Sequence, residues 1–149
     1  MLVAPDSRAI LEAFFRSHLR DEALSLPPLR VHSGWFAQLL TRVFHIEAIT
    51  LSRWIFITPR LVARDGRGRL RAPARLIVHE AMHVLQYECE GRVRFLFLYV
   101  GEYARALFGA DGRGAQTHAA AYRTISFEKR AREAEDAYDT WRTARERAI

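Results

Sequence analysis

Cysteine and lysine are almost missing from this 149-residue chain. Cys89 stands alone, which excludes an internal disulfide and any cysteine-cluster metal site, and such a thiol is expected to be buried or idle. Lys129 is the only lysine, so 22 of the 23 basic residues are arginine. Beside abundant alanine, that ratio follows as readily from a GC-rich coding sequence as from an acidic partner. The net charge of +6 and pI of about 10.2 are therefore thin ground for nucleic-acid binding. No recognised nucleic-acid motif and no basic run with interleaved aromatics occurs, so a nucleic-acid partner is not expected.

Long apolar runs are missing as well. The longest, "FLFLYV" at 95–100, is far short of the ~20 residues of a membrane span. The first residues, "MLVAPDSRAILEAFFRSHLR", lack a basic lead before an uninterrupted apolar stretch, so no conventional secretion signal is read. The expectation is a cytoplasmic protein with no membrane partner. At 17.2 kDa, with half its residues hydrophobic, the chain suits one domain spanning 1–149.

Periodicity supplies the elements. Asp6 or Ser7 can cap a helix over "SRAILEAFFRSHL", and a short strand is expected at 29–33 and a helix at 35–44. "AITLSRWIFIT" at 48–58, rich in β-branched and aromatic residues, reads as the best strand of the chain and is closed by Pro59. Residues 63–72, with two glycines and four arginines, read as a mobile basic loop, and "DGRG" recurs at 111–114 as turn chemistry. A helix entered at Pro73 and ended at Gly91 follows, then one over 93–108. Ser126 can cap a last helix, with Phe127, Ala131, Ala134, Tyr138 and Trp141 on one stripe.

The Pro73–Gly91 helix carries the chemistry, in "LIVHEAMHVLQYE". Ile77, Ala81, Val84 and Leu85, flanked by Val78 and Met82, form its core face, and His79 and His83 lie opposite. Leu76 and Tyr87 share the histidine side, which therefore reads as the wall of a cleft rather than a solvated face. Residues four apart on a helix are neighbours, so two imidazoles can take adjacent corners around Zn²⁺. Glu80 points away from that corner but can reach water activated by the metal and take its proton. This is the H-E-x-x-H arrangement of metallopeptidases.

The order of strand, loop and "LIVHEAMHVLQYE" resembles the zincin metallopeptidases. More narrowly, "VHEAMHVLQ" with strands upstream and "YRTISFEKRA" downstream is similar, over about residues 29–135, to a bacterial zincin-like domain family of unknown function. Some members of that family accompany extracellular contractile injection systems. Ser126 and Arg130 stand where the family has a proline and its second glutamate. The resemblance implies an α+β zincin-like fold, with a small antiparallel sheet packed on the motif helix and two further helices.

A catalytic zinc normally has three protein ligands and an open position, so a third carboxylate or histidine is needed downstream. By resemblance it is Glu128; Glu135, on the same helix edge with Asp139 four residues on, and His118 are the alternatives. Tyr99, Tyr103 and Tyr122 are candidate donors to an oxyanion. His18, His32 and His45 have no ligand spacing and read as structural. The expected function is a zinc metallopeptidase with Glu80 as base and a protein or peptide substrate. The alternative is a non-proteolytic metal-binding interaction or effector module.

Overall fold

The computed structural model describes residues 2–43, 46–66, 70–108 and 122–147. It is an α+β arrangement. In chain order come α1 (Pro5–Leu19), β1 (Arg30–His32), α2 (Trp35–Val43), β2 (Ala48–Leu51), β3 (Trp54–Ile57) and a 3-10 turn (Pro59–Leu61). The short strands β4 (Ala63–Arg64) and β5 (Leu70–Arg71) follow, then α3 (Ala74–Glu90), α4 (Arg92–Phe108) and a final helix, α5 (Ser126–Arg147). Among the described residues, no helix is long and apolar enough to cross a membrane.

The stretch expected as one long strand is a hairpin. Ser52 and Arg53 turn the chain between β2 and β3, with Leu51 opposite Trp54 and Ala48 opposite Ile57. Ser52 takes φ 59°, a conformation that glycine, asparagine or aspartate normally supplies, so the sequence carried no turn signal there. The three-stranded sheet has the order β1-β3-β2 and is mixed rather than antiparallel. Between β1 and β3 the chain passes through α2, and that crossover brings β1 alongside β3 in parallel. Central β3 is correspondingly apolar, with Ile55 and Ile57 fully buried.

Other boundaries also differ from expectation. Helix α1 starts at Pro5 without a side-chain cap, because proline suits a first helical position where its missing N–H is no loss. Residues 63–64 and 70–71, read as loop, pair as an antiparallel ladder. Cys89, expected to be buried or idle, is exposed. His45, His118 and the 111–114 "DGRG" lie outside the described residues.

Helix α3 is the hub. Its middle, Val78 and Glu80 to Tyr87, is buried on every side, with β2 against one flank and α4 and α5 against others. The main core joins Phe14 and Phe15 of α1, Ile55 and Ile57 of β3, Val78, Ala81 and Val84 of α3, and Ala131, Ala134 and Tyr138 of α5. Phe14 meets Tyr138 edge-on at 5.2 Å and Trp141 at 5.5 Å, which seats α1 on α5. Ala81, Ala131 and Ala134 are fully buried and end at Cβ, which keeps α5 close to α3. A smaller aromatic cluster of Tyr87, Phe95, Ile125 and Phe127 ties α4 to both helices.

Enlarging the α3–α5 seam forces the helices apart. Ala134→Leu is expected to destabilise the protein by about 1–3 kcal/mol, read by chemical denaturation, against no more than ~0.5 kcal/mol for exposed Glu133→Leu.

Candidate metal centre

His79 and His83 leave α3 on one side, four residues and about one turn apart, and their rings sit 5.0 Å apart edge to face. Glu128, in the first turn of α5, lies opposite them and is 1% exposed. Its Oε2 is 3.3 Å from His79 Nε2 and its Oε1 3.1 Å from His83 Nε2. One donor atom from each of the three residues falls within 4.8 Å of the others, a buried group that could hold a metal ion. The side read as a cleft wall is thus an interior site: His83 is buried and the His79 side chain is 12% exposed.

The other nitrogen of each imidazole is also held. Glu135 Oε2 is 3.3 Å from His79 Nδ1, while its Oε1 meets Arg75 Nε at 3.4 Å. Gln86 Oε1 is 2.8 Å from His83 Nδ1, and Gln86 Nε2 donates to the Phe127 carbonyl at 3.0 Å. Because the amide nitrogen is committed to Phe127, its oxygen is the atom that faces His83. Both Nδ1 atoms therefore donate to oxygens, which in the neutral rings leaves the Nε2 lone pairs aimed at a carboxylate.

Three acceptors so converged demand a positive charge among them, either protons on the imidazoles or a bound cation. Glu128 Oε2 is buried and makes no hydrogen bond; it has His79 at 3.3 Å and the Arg132 guanidinium at 3.8 Å. An orphaned buried carboxylate oxygen beside two imidazole nitrogens fits a cation's ligand set. Burial pushes the Glu128 carboxyl up, but the His79 and His83 rings outweigh it and hold it well below the usual carboxylate range. For His83, burial pushes down and the Glu128 carboxylate reverses the sign, so the ring is raised.

Glu80 is also buried, but it turns towards the sheet. Its Oε2 accepts a 2.7 Å hydrogen bond from the Thr50 hydroxyl of β2. Burial raises its pKa, against the pull of His83, His79 and the Thr50 hydrogen bond. A carboxylate so raised is a stronger base than one in water.

Helix α4 covers the remaining side. Tyr99 donates to Glu128 Oε1 at 2.8 Å. Burial, aided by Tyr122 and Glu128, pushes the Tyr99 hydroxyl up, and burial with Glu128 does the same to Tyr122, so both remain protonated donors. Tyr103, like Tyr99 and Tyr122, packs against the small aromatic cluster. Glu102 accepts from the Ser126 backbone N–H at 2.6 Å and hydroxyl at 2.7 Å, so a carboxylate from α4 caps α5 where Ser126 itself was expected to. Of the structural histidines, His18 stacks on Phe14 and His32 on Phe56.

The structure thus brings His79, His83 and Glu128 together, sets Glu135 behind His79 and turns Glu80 to Thr50 on the sheet side of α3. Thr50 and Gln86 escaped the sequence reading. Gln86, three residues after His83, carried a signal in its helical spacing, whereas Thr50 lies thirty residues from Glu80 and carried none.

These features define an α+β domain built on a histidine–glutamate donor set between helices. The model of the eCIS core domain family matches residues 8–91, more than half of the chain, and the protein belongs to that family. No curated protein and no solved structure matches the chain. The matched segment holds His79, Glu80 and His83 and stops short of Glu128.

If Glu135 steadies His79, Glu135→Ala should weaken metal binding about 10–100-fold in a chelator competition and leave the circular dichroism spectrum unchanged. Unchanged affinity refutes that role.

Proposed function

We propose that the protein is a zinc-dependent hydrolase of the metallopeptidase type, in which His79, His83 and Glu128 hold the metal and Glu80 is the general base. The convergence of two Nε2 atoms and one carboxylate in a buried site carries this reading. Two ligands of a tetrahedral zinc at ~2.0–2.1 Å stand about 3.3 Å apart, and Glu128 reaches the two imidazoles at 3.3 and 3.1 Å through its separate oxygens. Zinc, when bound, supplies Lewis acidity that acidifies water towards a pKa of ~7 and polarises a carbonyl.

The remaining work falls to this chain's own groups. Thr50 holds Glu80 Oε2, so Oε1 is the oxygen left to accept a proton from the attacking water. Tyr99 and Gln86 fix the Glu128 carboxylate and the His83 ring, so neither has to reorganise during the reaction. The substrate class is a protein or peptide. The zincin-like H-E-x-x-H pattern on α3, within the segment shared with the eCIS core domain family, supports this assignment.

A second reading, a metal-binding module without proteolysis, is favoured by one observation. Glu80, His83 and Glu128 are all less than 10% exposed, and closed sites are the mark of structural rather than catalytic metals.

Two measurements separate these readings. Purified protein should carry about one zinc per chain, which His79→Ala loses and Glu80→Gln keeps. Against a peptide library, Glu80→Gln should cut at least ~100-fold more slowly than wild type. Equal metal content in wild type and His79→Ala sinks both readings, and equal inertness of wild type and a zinc-loaded Glu80→Gln sinks the hydrolase alone.

A further inference from the structure

Helix α4 is apolar on two faces, and among the described residues the inner one is the packed face. The inner face sets Phe95 against Tyr87, Phe127 and His83 and delivers Tyr99 to Glu128. On the outer face Val93 is 69% exposed, Leu96 52%, Phe97 76%, Val100 54% and Phe108 91%. A helix that is apolar nearly all round is ordinarily covered on both sides.

The outer face has the form of a helix-packing seam. Val93, Phe97, Val100, Ala104 and Leu107 succeed one another at steps of four, three, four and three, the spacing by which one helix meets another.

We propose that the outer face of α4 pairs, antiparallel and about a two-fold axis, with α4 of a second copy of this chain. Centred on Val100, such a pairing sets Phe97 against Ala104 of the second copy, large against small, and Val93 against Leu107. The seam is thus complementary to itself, as a two-fold interface requires.

The exposed area bears on the occupant. Beside the stripe Arg94 pairs with Glu90 at 3.1 Å, whereas Glu102 is turned inward to Ser126 and Glu88 is held by Arg53. Phe97 and Phe108 together expose roughly 300 Å² at the ~200 Å² typical of a phenylalanine. With the three aliphatic residues the stripe comes to about 600 Å² per chain, the lower end of stable interfaces. The pairing presses the helix bearing Tyr99 and Glu102 against the metal centre, but it does not depend on the function proposed for that centre.

Sedimentation velocity of the whole chain tests this. Wild type should run at twice 17.2 kDa and Phe97→Glu at 17.2 kDa, with His79→Ala still dimeric. Ala104→Phe should weaken the dimer at least tenfold, and Phe97→Ala with Ala104→Phe should restore it by exchanging large for small. Circular dichroism of Phe97→Glu should match wild type, since Phe97 is 76% exposed. The proposal is overturned by a monomeric wild type at all concentrations to about 0.1 mM, or by a dimer that Phe97→Glu leaves intact. Equally, a monomer that sediments with phosphatidylserine vesicles and loses that binding in Phe97→Glu makes a lipid surface the occupant and overturns it.

Discussion

The architecture turns on a carboxylate and two imidazoles held against each other away from water. A carboxylate as buried as Glu128 is strongly disfavoured unless donors and positive charge surround it. The chain supplies them from three helices: His79 and His83 from α3, Tyr99 from α4 and Arg132 one turn further along α5. The alanines of the α3–α5 seam follow from the same requirement, because a wider gap would take Glu128 out of reach of both rings. So does the use of Glu102 to cap α5, which fixes where the first turn of that helix, and hence Glu128, begins.

Helix α3 divides its labour by direction. Successive residues on a helix turn by ~100°, so Glu80 cannot share the histidines' side and faces the sheet instead. There Thr50 on β2 meets it, and the β2–β3 hairpin therefore supports the carboxylate as well as filling the core. The donor set and the candidate base are anchored in different layers of the fold. The two are still coupled electrostatically, because the His79 and His83 rings pull down the Glu80 carboxyl that burial pushes up.

What the sequence disclosed was what is local. The motif on α3, its ends at Pro73 and Gly91 and the stripe on α5 all follow from helical spacing within one element. The β2–β3 turn was hidden because Ser52 adopts a positive φ without the residue types that announce one. The parallel pairing of β1 with β3 was hidden because register across a crossover has no local signature. Helical geometry put Glu128 and Glu135 on one edge of α5, and the resemblance favoured the first. Spacing alone could not separate them, since seven residues is nearly two whole turns and both face the same histidine. Thr50 and Glu80 meet only through the tertiary fold.

The roles of those two carboxylates are set by what stands behind each. Glu135 lies nearer the surface, where Arg75 takes one oxygen and leaves the other for His79 Nδ1. That guanidinium is shared with Asp136 and Asp139, and Glu135 meets the ring at the nitrogen turned away from Glu128. Glu128 lies deeper: Tyr99 bonds Oε1, and Oε2 has no hydrogen bond. Its negative charge is met inside the protein by the His79 and His83 rings and, at 3.8 Å, by Arg132. The segment matched by the eCIS core domain family ends with α3, so it contributes both imidazoles and Arg75. The carboxylates that decide what those imidazoles face come from α5, beyond the match. In this chain the three-residue group that could hold a metal ion forms only when α5 packs, because the two imidazoles alone offer neither the third ligand nor the negative charge that favours a cation in a dry interior.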